Sequence, residues 1–160
     1  IGRTAITIGG VERDAMTFNG TVPGPLIHLR EGDDVTLRVT NTLEEPTSIH
    51  WHGFLVPFEY DGVPGVNFPG IAPGETFTYR FRVKQNGTYW YHSHSGHQEQ
   101  TGMYGSIVIE PRERDVVEFD REFVVVLSDW SDEEPADVYK KLKKLSHYYN
   151  TRERTVGASR

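Results

Sequence analysis

The residues best suited to chemistry are two histidine pairs, His50-Trp51-His52 and His92-Ser93-His94. Successive side chains of an extended strand point to opposite faces, so each pair puts both imidazoles on one face and the residue between them on the other. Seven histidines in 160 residues would give about 0.3 His-x-His pairs by chance, so two such pairs argue for a selected role. Two neighbouring strands would then bring four imidazoles to one point. Neutral imidazole suits copper, zinc, iron and nickel, and four of them without thiolate or carboxylate favour Cu(II) or Zn over Ca or Mg. The affinity order of the divalent ions then selects copper. His28 and His147 stand alone and read as surface or packing residues. His97 has three readings, an extra ligand, a donor to a ligand or no role, of which the last is preferred. Asp61-Gly62 reads from its residues as a turn, Met103 as packing rather than a soft copper ligand, and Trp51, Trp90 and Tyr91 as packing aromatics.

The chain contains no cysteine. That excludes a Cys nucleophile, an iron–sulfur cluster and a cysteine-ligated blue-copper centre from these residues. It does not decide the compartment, because an oxidising location permits disulfides without requiring them. The length is that of one ordinary domain with a real core. A net charge of −6 and a pI near 5.6 count against a sequence-independent hold on nucleic acid phosphate. No stretch approaches the ~20 apolar residues of a membrane span. The chain opens on Ile1 with no secretory leader pattern, which reads as a processed or trimmed product.

The elements that must position the histidines read as short strands. Thr4 to Ile8 and Ala15 to Phe18 flank Gly9-Gly10 as a hairpin, and Leu26 to Leu29 is a further strand. Val35, Leu37 and Val39 alternate with Thr36, Arg38 and Thr40, the period-2 pattern of a half-buried strand, and Phe77, Tyr79 and Phe81 repeat it. The histidine pairs fall on strands Ser48 to Phe54 and Thr88 to His92, and Gly105 to Glu110 and Glu122 to Leu127 complete the set. Pro57 to Pro73 is a long Pro- and Gly-rich connection and a candidate functional loop. Many short strands without βαβ alternation predict an antiparallel sandwich. Ser131-Asp132-Glu133-Glu134 fits a capping box ahead of Pro135, with Val138, Leu142, Leu145 and Tyr149 at helical spacing. Acidic residues before this helix and basic ones after it suit its dipole better than nucleic acid. Thr151 to Arg160 has no core pattern.

His50-Trp51-His52-Gly53, Trp90-Tyr91-His92-Ser93-His94 and Gly102-Met103-Tyr104-Gly105 resemble the first cupredoxin domain of multicopper oxidases. Phe18-Asn19-Gly20 with Pro23-Gly24-Pro25, Asp61 to Gly65, and Pro73 to Phe81 match that family in order and spacing. Ser93-His94-Ser95-Gly96 with Gln98-Glu99-Gln100, and Ser128-Asp129-Trp130 through Asn150, resemble its bacterial copper-resistance branch. The resemblance runs from about Thr17 to Arg154. It implies an all-β, cupredoxin-like Greek-key β-sandwich over residues 1–128, then a short C-terminal α-helix and the start of an interdomain linker over 129–160.

Carried over by position, the resemblance makes His50 a ligand of type 2 copper and His52, His92 and His94 ligands of the type 3 pair. Asp61 matches a carboxylate near the cluster that assists proton delivery as dioxygen is reduced to water. The family completes this trinuclear cluster with four histidines from its last domain, which also holds the type 1 copper; no type 1 site lies in this chain. Implied partners are the remaining cupredoxin domains, dioxygen and a second copy meeting the ligand face, in an exported or periplasmic location. Alone, the chain is expected to lack turnover. Two alternatives stand beside this: a stand-alone copper-binding or storage module with a mononuclear four-histidine site, and a small two-domain oxidase assembling its cluster between subunits.

Overall fold

The computed structural model describes residues 1–113 and 117–150. The chain divides into two compact units, Ile1–Ser128 and Asp129–Arg160. The first unit is built of β1 (Gly2–Ile8), β2 (Val11–Thr17), β3 (Gly24–Arg30), β4 (Asp34–Thr40), β5 (His50–His52), β6 (Thr76–Arg82), β7 (Gly87–His92) and β8 (Tyr104–Glu110). β1 and β2 form an antiparallel hairpin whose two-residue turn places Gly9 and Gly10 at positive φ, as a turn matching the twist of its strands requires.

The remaining strands form a four-stranded sheet in the order β3-β8-β7-β5 and a two-stranded sheet of β4 and β6. The chain therefore passes from one sheet to the other at every connection from β3 to β7. β3 pairs parallel to β8, and the other pairs are antiparallel. In the β4–β6 pair the register sets Val35 opposite Phe81, Leu37 opposite Tyr79 and Val39 opposite Phe77. The two apolar rows expected from their alternation thus form one face. They join Trp51, Tyr91, Ile107 and Ile109 of the larger sheet in a single core that also takes in Met16 and Phe18. Trp51 anchors it: its ring lies 5.2 Å from that of Tyr79 and 6.2 Å from that of Phe81, both edge-on. Such pairs add about 0.5–1.5 kcal/mol each beyond the area they bury.

Tyr91 is set between strands by glycine. A Cβ at Gly105 would lie 2.4 Å from its ring, and one at Gly24 2.7 Å from its hydroxyl, which donates to the Pro25 carbonyl at 2.7 Å. Burial raises the pKa of this phenol, so it stays a neutral donor.

Several expectations differ from the structure, the first being the β3–β8 pair, which is parallel where an antiparallel sandwich was expected. Glu122 to Leu127 forms no strand, and Phe123, Val125 and Leu127 are 79%, 74% and 90% exposed. A strand needs a neighbour to take its backbone hydrogen bonds, and none among the described residues does so. In the second unit α1 covers Pro135–Lys144, later than the capping box implied. Ser131 instead accepts the Glu133 N–H at 3.1 Å in a local turn, and Pro135, which has no N–H to satisfy, sets the first helical position. Tyr149 lies beyond the helix, its hydroxyl donating to Glu133 Oε2 at 2.8 Å. The expectation for Thr151 to Arg160 falls outside the described residues.

Candidate metal centre

β5 is only three residues long, yet its register fixes the site. It runs antiparallel to β7 with His50 opposite His92, Trp51 opposite Tyr91 and His52 opposite Trp90. Directly paired residues share a face, so Trp51 and Tyr91 turn into the core while His50, His52, Trp90 and His92 line the other face. The ring centroids of His50 lie 5.4 Å from those of His52 and His92 and 5.5 Å from that of His94. One ring nitrogen from each of His50, His52 and His92 falls within 4.8 Å of the others. His94 is outside that tightest group, with its ring 6.0 Å from that of His92. β7 ends at His92, so His94 is held differently from the expected strand: its N–H donates to Ser48 Oγ at 3.1 Å.

The second nitrogen of two rings is occupied. His50 Nδ1 lies 2.6 Å from the Asp61 carbonyl and 3.4 Å from Asp61 Oδ1. His92 Nδ1 lies 2.9 Å from the Ser93 carbonyl and 2.8 Å from Glu99 Oε2. A carbonyl only accepts, so the proton of each ring sits on Nδ1 and Nε2 is left bare. His52 turns its Nδ1 inward, 3.3 Å from His92 Nε2. Burial, opposed by the Ser93 carbonyl and Glu99 and reinforced by His50 and His52, lowers the pKa of His92 and favours the neutral imidazole that binds metal. Three imidazole nitrogens converging on one point, with no carboxylate in the group, fit copper well.

The loop from Pro57 to Pro73 carries Asp61 to the site. Gly62 has φ +79, and a Cβ there would stand 1.7 Å from the Ile49 carbonyl oxygen, so only glycine lets the loop lie this close to β5. Asn67 closes the loop: its side-chain oxygen accepts the Val63 N–H at 2.9 Å and its amide donates to Asp61 Oδ2 at 3.2 Å.

Behind the rings is a buried polar network to which the sequence reading assigned no role, although Ser93, Ser95 and Gln98 stood in the resembling stretch. Gln98 Oε1 accepts from Thr47 Oγ1 at 2.7 Å and Ser93 Oγ at 2.8 Å, and Gln98 Nε2 donates to the Pro46 carbonyl at 3.0 Å. Ser48 and Ser95 hydroxyls meet at 2.9 Å. These bonds tie the segment entering β5 to the segment leaving β7. The sequence signals were the resembling stretch Ser93 to Gln100 and the position of these residues beside the two motifs. Trp90 is also placed differently from a core aromatic: it is 37% exposed and stacks on His92 at 4.2 Å and on His52 at 4.9 Å. His28 lies apart on β3, its Nε2 3.2 Å from Glu110 Oε1.

A sandwich of this topology carrying paired histidines on adjacent strands is the cupredoxin fold of copper oxidases, and the comparison with known proteins bears this out. The sequence model of the multicopper oxidase family matches residues 1–114, and the chain belongs to that family. More particularly, it is 60% identical over 157 residues to a copper resistance protein A homolog of Pseudomonas syringae pv. tomato, covering 98% of this chain and 27% of the relative. It is 58% identical over 158 residues to copper resistance protein A of Escherichia coli, covering 99% of this chain and 26% of the relative. Among solved structures, a mutant of the laccase from B. aclada superposes with a TM-score of 0.79 at 44% identity, over 89% of this chain and 27% of the laccase. The chain thus spans about a quarter of the length of these relatives and corresponds to the first domain of copper-resistance oxidases.

Proposed function

We propose that this chain supplies half of the histidine ligands of a trinuclear copper cluster at which the intact oxidase reduces dioxygen to water. His50 serves type 2 copper, and His52, His92 and His94 serve the type 3 pair. The observation that carries this reading is the convergence of three imidazole nitrogens within 4.8 Å in a chain of the multicopper oxidase family. Bound copper supplies the one-electron chemistry that dioxygen reduction needs.

The chain's own residues hold and orient. The Asp61 and Ser93 carbonyls fix which nitrogen of His50 and His92 faces the metal, so little reorganisation accompanies binding. Trp90 covers one side of two rings and keeps water from it. The Asp61 carboxylate, half-exposed and 3.4 Å from His50 Nδ1, takes a proton from solvent hydronium, which leaves as water, on Oδ1 and releases it toward the cluster. The remaining cupredoxin domains complete the cluster, the reducing substrate delivers its electrons elsewhere in the oxidase, and the whole is exported to the periplasm. A stand-alone storage module is disfavoured by a chain that matches about a quarter of its oxidase relatives.

The test is elemental analysis of the purified 160-residue chain after copper loading and desalting, beside an oxygen-uptake assay with a phenolic reductant. Retained copper that is lost in His50→Ala and His92→Ala, without oxygen uptake, supports the assignment. Copper retained equally by both variants, or vigorous turnover by the isolated chain, overturns it.

A further inference from the structure

We propose that Glu99 is a positioning residue for His92, its carboxylate pairing with the Nδ1–H that the Ser93 carbonyl accepts and so aiming Nε2 at the metal. The proposal rests on the reading of His92 as a copper ligand. Glu99 Oε2 lies 2.8 Å from Nδ1 of a ring that is only 5% exposed. The Ser93 carbonyl reaches the same nitrogen at 2.9 Å, but it is neutral. A carboxylate on the outer nitrogen makes the imidazole a more electron-rich donor through the inner one, and it resists rotation of the ring.

Glu99 is itself held. It opens the 3-10 turn Glu99–Thr101, whose preceding residue is the buried Gln98 with its bonds to Thr47, Ser93 and Pro46. The turn ends at Gly102, whose N–H donates to the Glu99 carbonyl at 3.1 Å. Gly102 has φ +119, and a Cβ there would come within 2.8 Å of both the Met16 carbonyl oxygen and Val22 Cγ2, so the turn is pinned against β2. The arrangement parallels the one at His50, where a carbonyl at 2.6 Å and the Asp61 carboxylate at 3.4 Å meet Nδ1. At His92 the carboxylate oxygen is as near as the carbonyl, at 2.8 Å against 2.9 Å. Asp61 and Glu99 thereby take different parts: Asp61 holds His50 chiefly through its backbone while its carboxylate accepts the Asn67 amide at 3.2 Å, whereas the Glu99 carboxylate pairs with the ring.

The test compares wild type, Glu99→Ala and Glu99→Gln in two measurements. Histidine-selective NMR of the metal-free chain reads the His92 Nδ1 proton, and competition with a chromophoric Cu(I) chelator reads copper affinity. The wild-type proton is expected far downfield; Glu99→Ala moves it upfield and weakens copper binding about 10–100-fold while circular dichroism stays unchanged. Glu99→Gln keeps an acceptor oxygen without the charge and falls between the two. A purely structural role would leave Glu99→Gln and wild type alike in both readouts and overturns the proposal, as does an unchanged Glu99→Ala. Wild-type chain that takes up no copper, with the NMR difference intact, instead sinks the reading of His92 as a ligand.

Discussion

At the scale of single residues, the site separates holding from proton handling. Asp61 offers two groups, a backbone carbonyl 2.6 Å from His50 Nδ1 and a carboxylate 3.4 Å from it. Asp61→Asn leaves the carbonyl in place, so copper content of the intact oxidase stays at the wild-type level while oxygen consumption falls about 10²–10⁴-fold, the usual worth of a positioned proton donor. Equal loss of copper and activity would assign Asp61 to holding alone. His92 carries a second prediction. Its pKa in the folded chain lies below the ordinary value because burial penalises the charged ring, whereas the unfolded chain keeps a value of about 6.5. Below that pH the unfolded state binds a proton that the folded state resists, so metal-free chain loses stability as pH falls through the unfolded value toward the lowered one. Urea midpoints at pH 7.5 and 5.5 measure this loss, and His92→Gln is expected to shrink it.

At the scale of elements, the centre depends on how closely a loop and a turn approach two strands. Gly62→Ala puts a methyl group 1.7 Å from the Ile49 carbonyl, so the loop must lift from β5 and take Asp61 from His50. The expected cost is about 1–3 kcal/mol of stability together with weaker copper binding, read by thermal melting and by chelator competition. A variant with wild-type affinity would show that His50 needs no support from the loop. Gln98→Leu strands the Thr47 and Ser93 hydroxyls in the core, at about 1–3 kcal/mol for each unsatisfied group. The same contacts explain what was legible beforehand. The histidine pairs were readable because both ligands and their spacing lie on one short stretch, and the alternation of Val35, Leu37 and Val39 was readable because β4 is half-buried. The parts played by Gln98 and Glu99 were not, because the chain folds back to set Gln98 on Thr47 and Ser93 and Glu99 on the His92 ring from seven residues away. The expected strand at Glu122 to Leu127 had the right composition, but a strand exists only when something pairs with it.

At the scale of the whole molecule, one property follows from a site built on a single sheet face. His52 and His94 are exposed on the same face as the more buried His50 and His92, so copper held by these rings would keep coordination positions open to whatever lies opposite. In the intact oxidase we assign that place to the remaining cupredoxin domains. Without them, a second copy of this chain carries the right donors on the right kind of surface, and its histidines can fill those positions. Copper should therefore drive association of the isolated chain. Sedimentation velocity is expected to show a monomer in chelator and a dimer with copper added, reversing on addition of EDTA, and His52→Ala with His94→Ala should remain monomeric in both. Charge sharpens the expectation: two chains of net charge −6 repel, so metal-free chain gains nothing from meeting face to face and salt alone should produce no dimer. A dimer that forms without copper, or survives the loss of both exposed histidines, would mean that some other surface joins the copies.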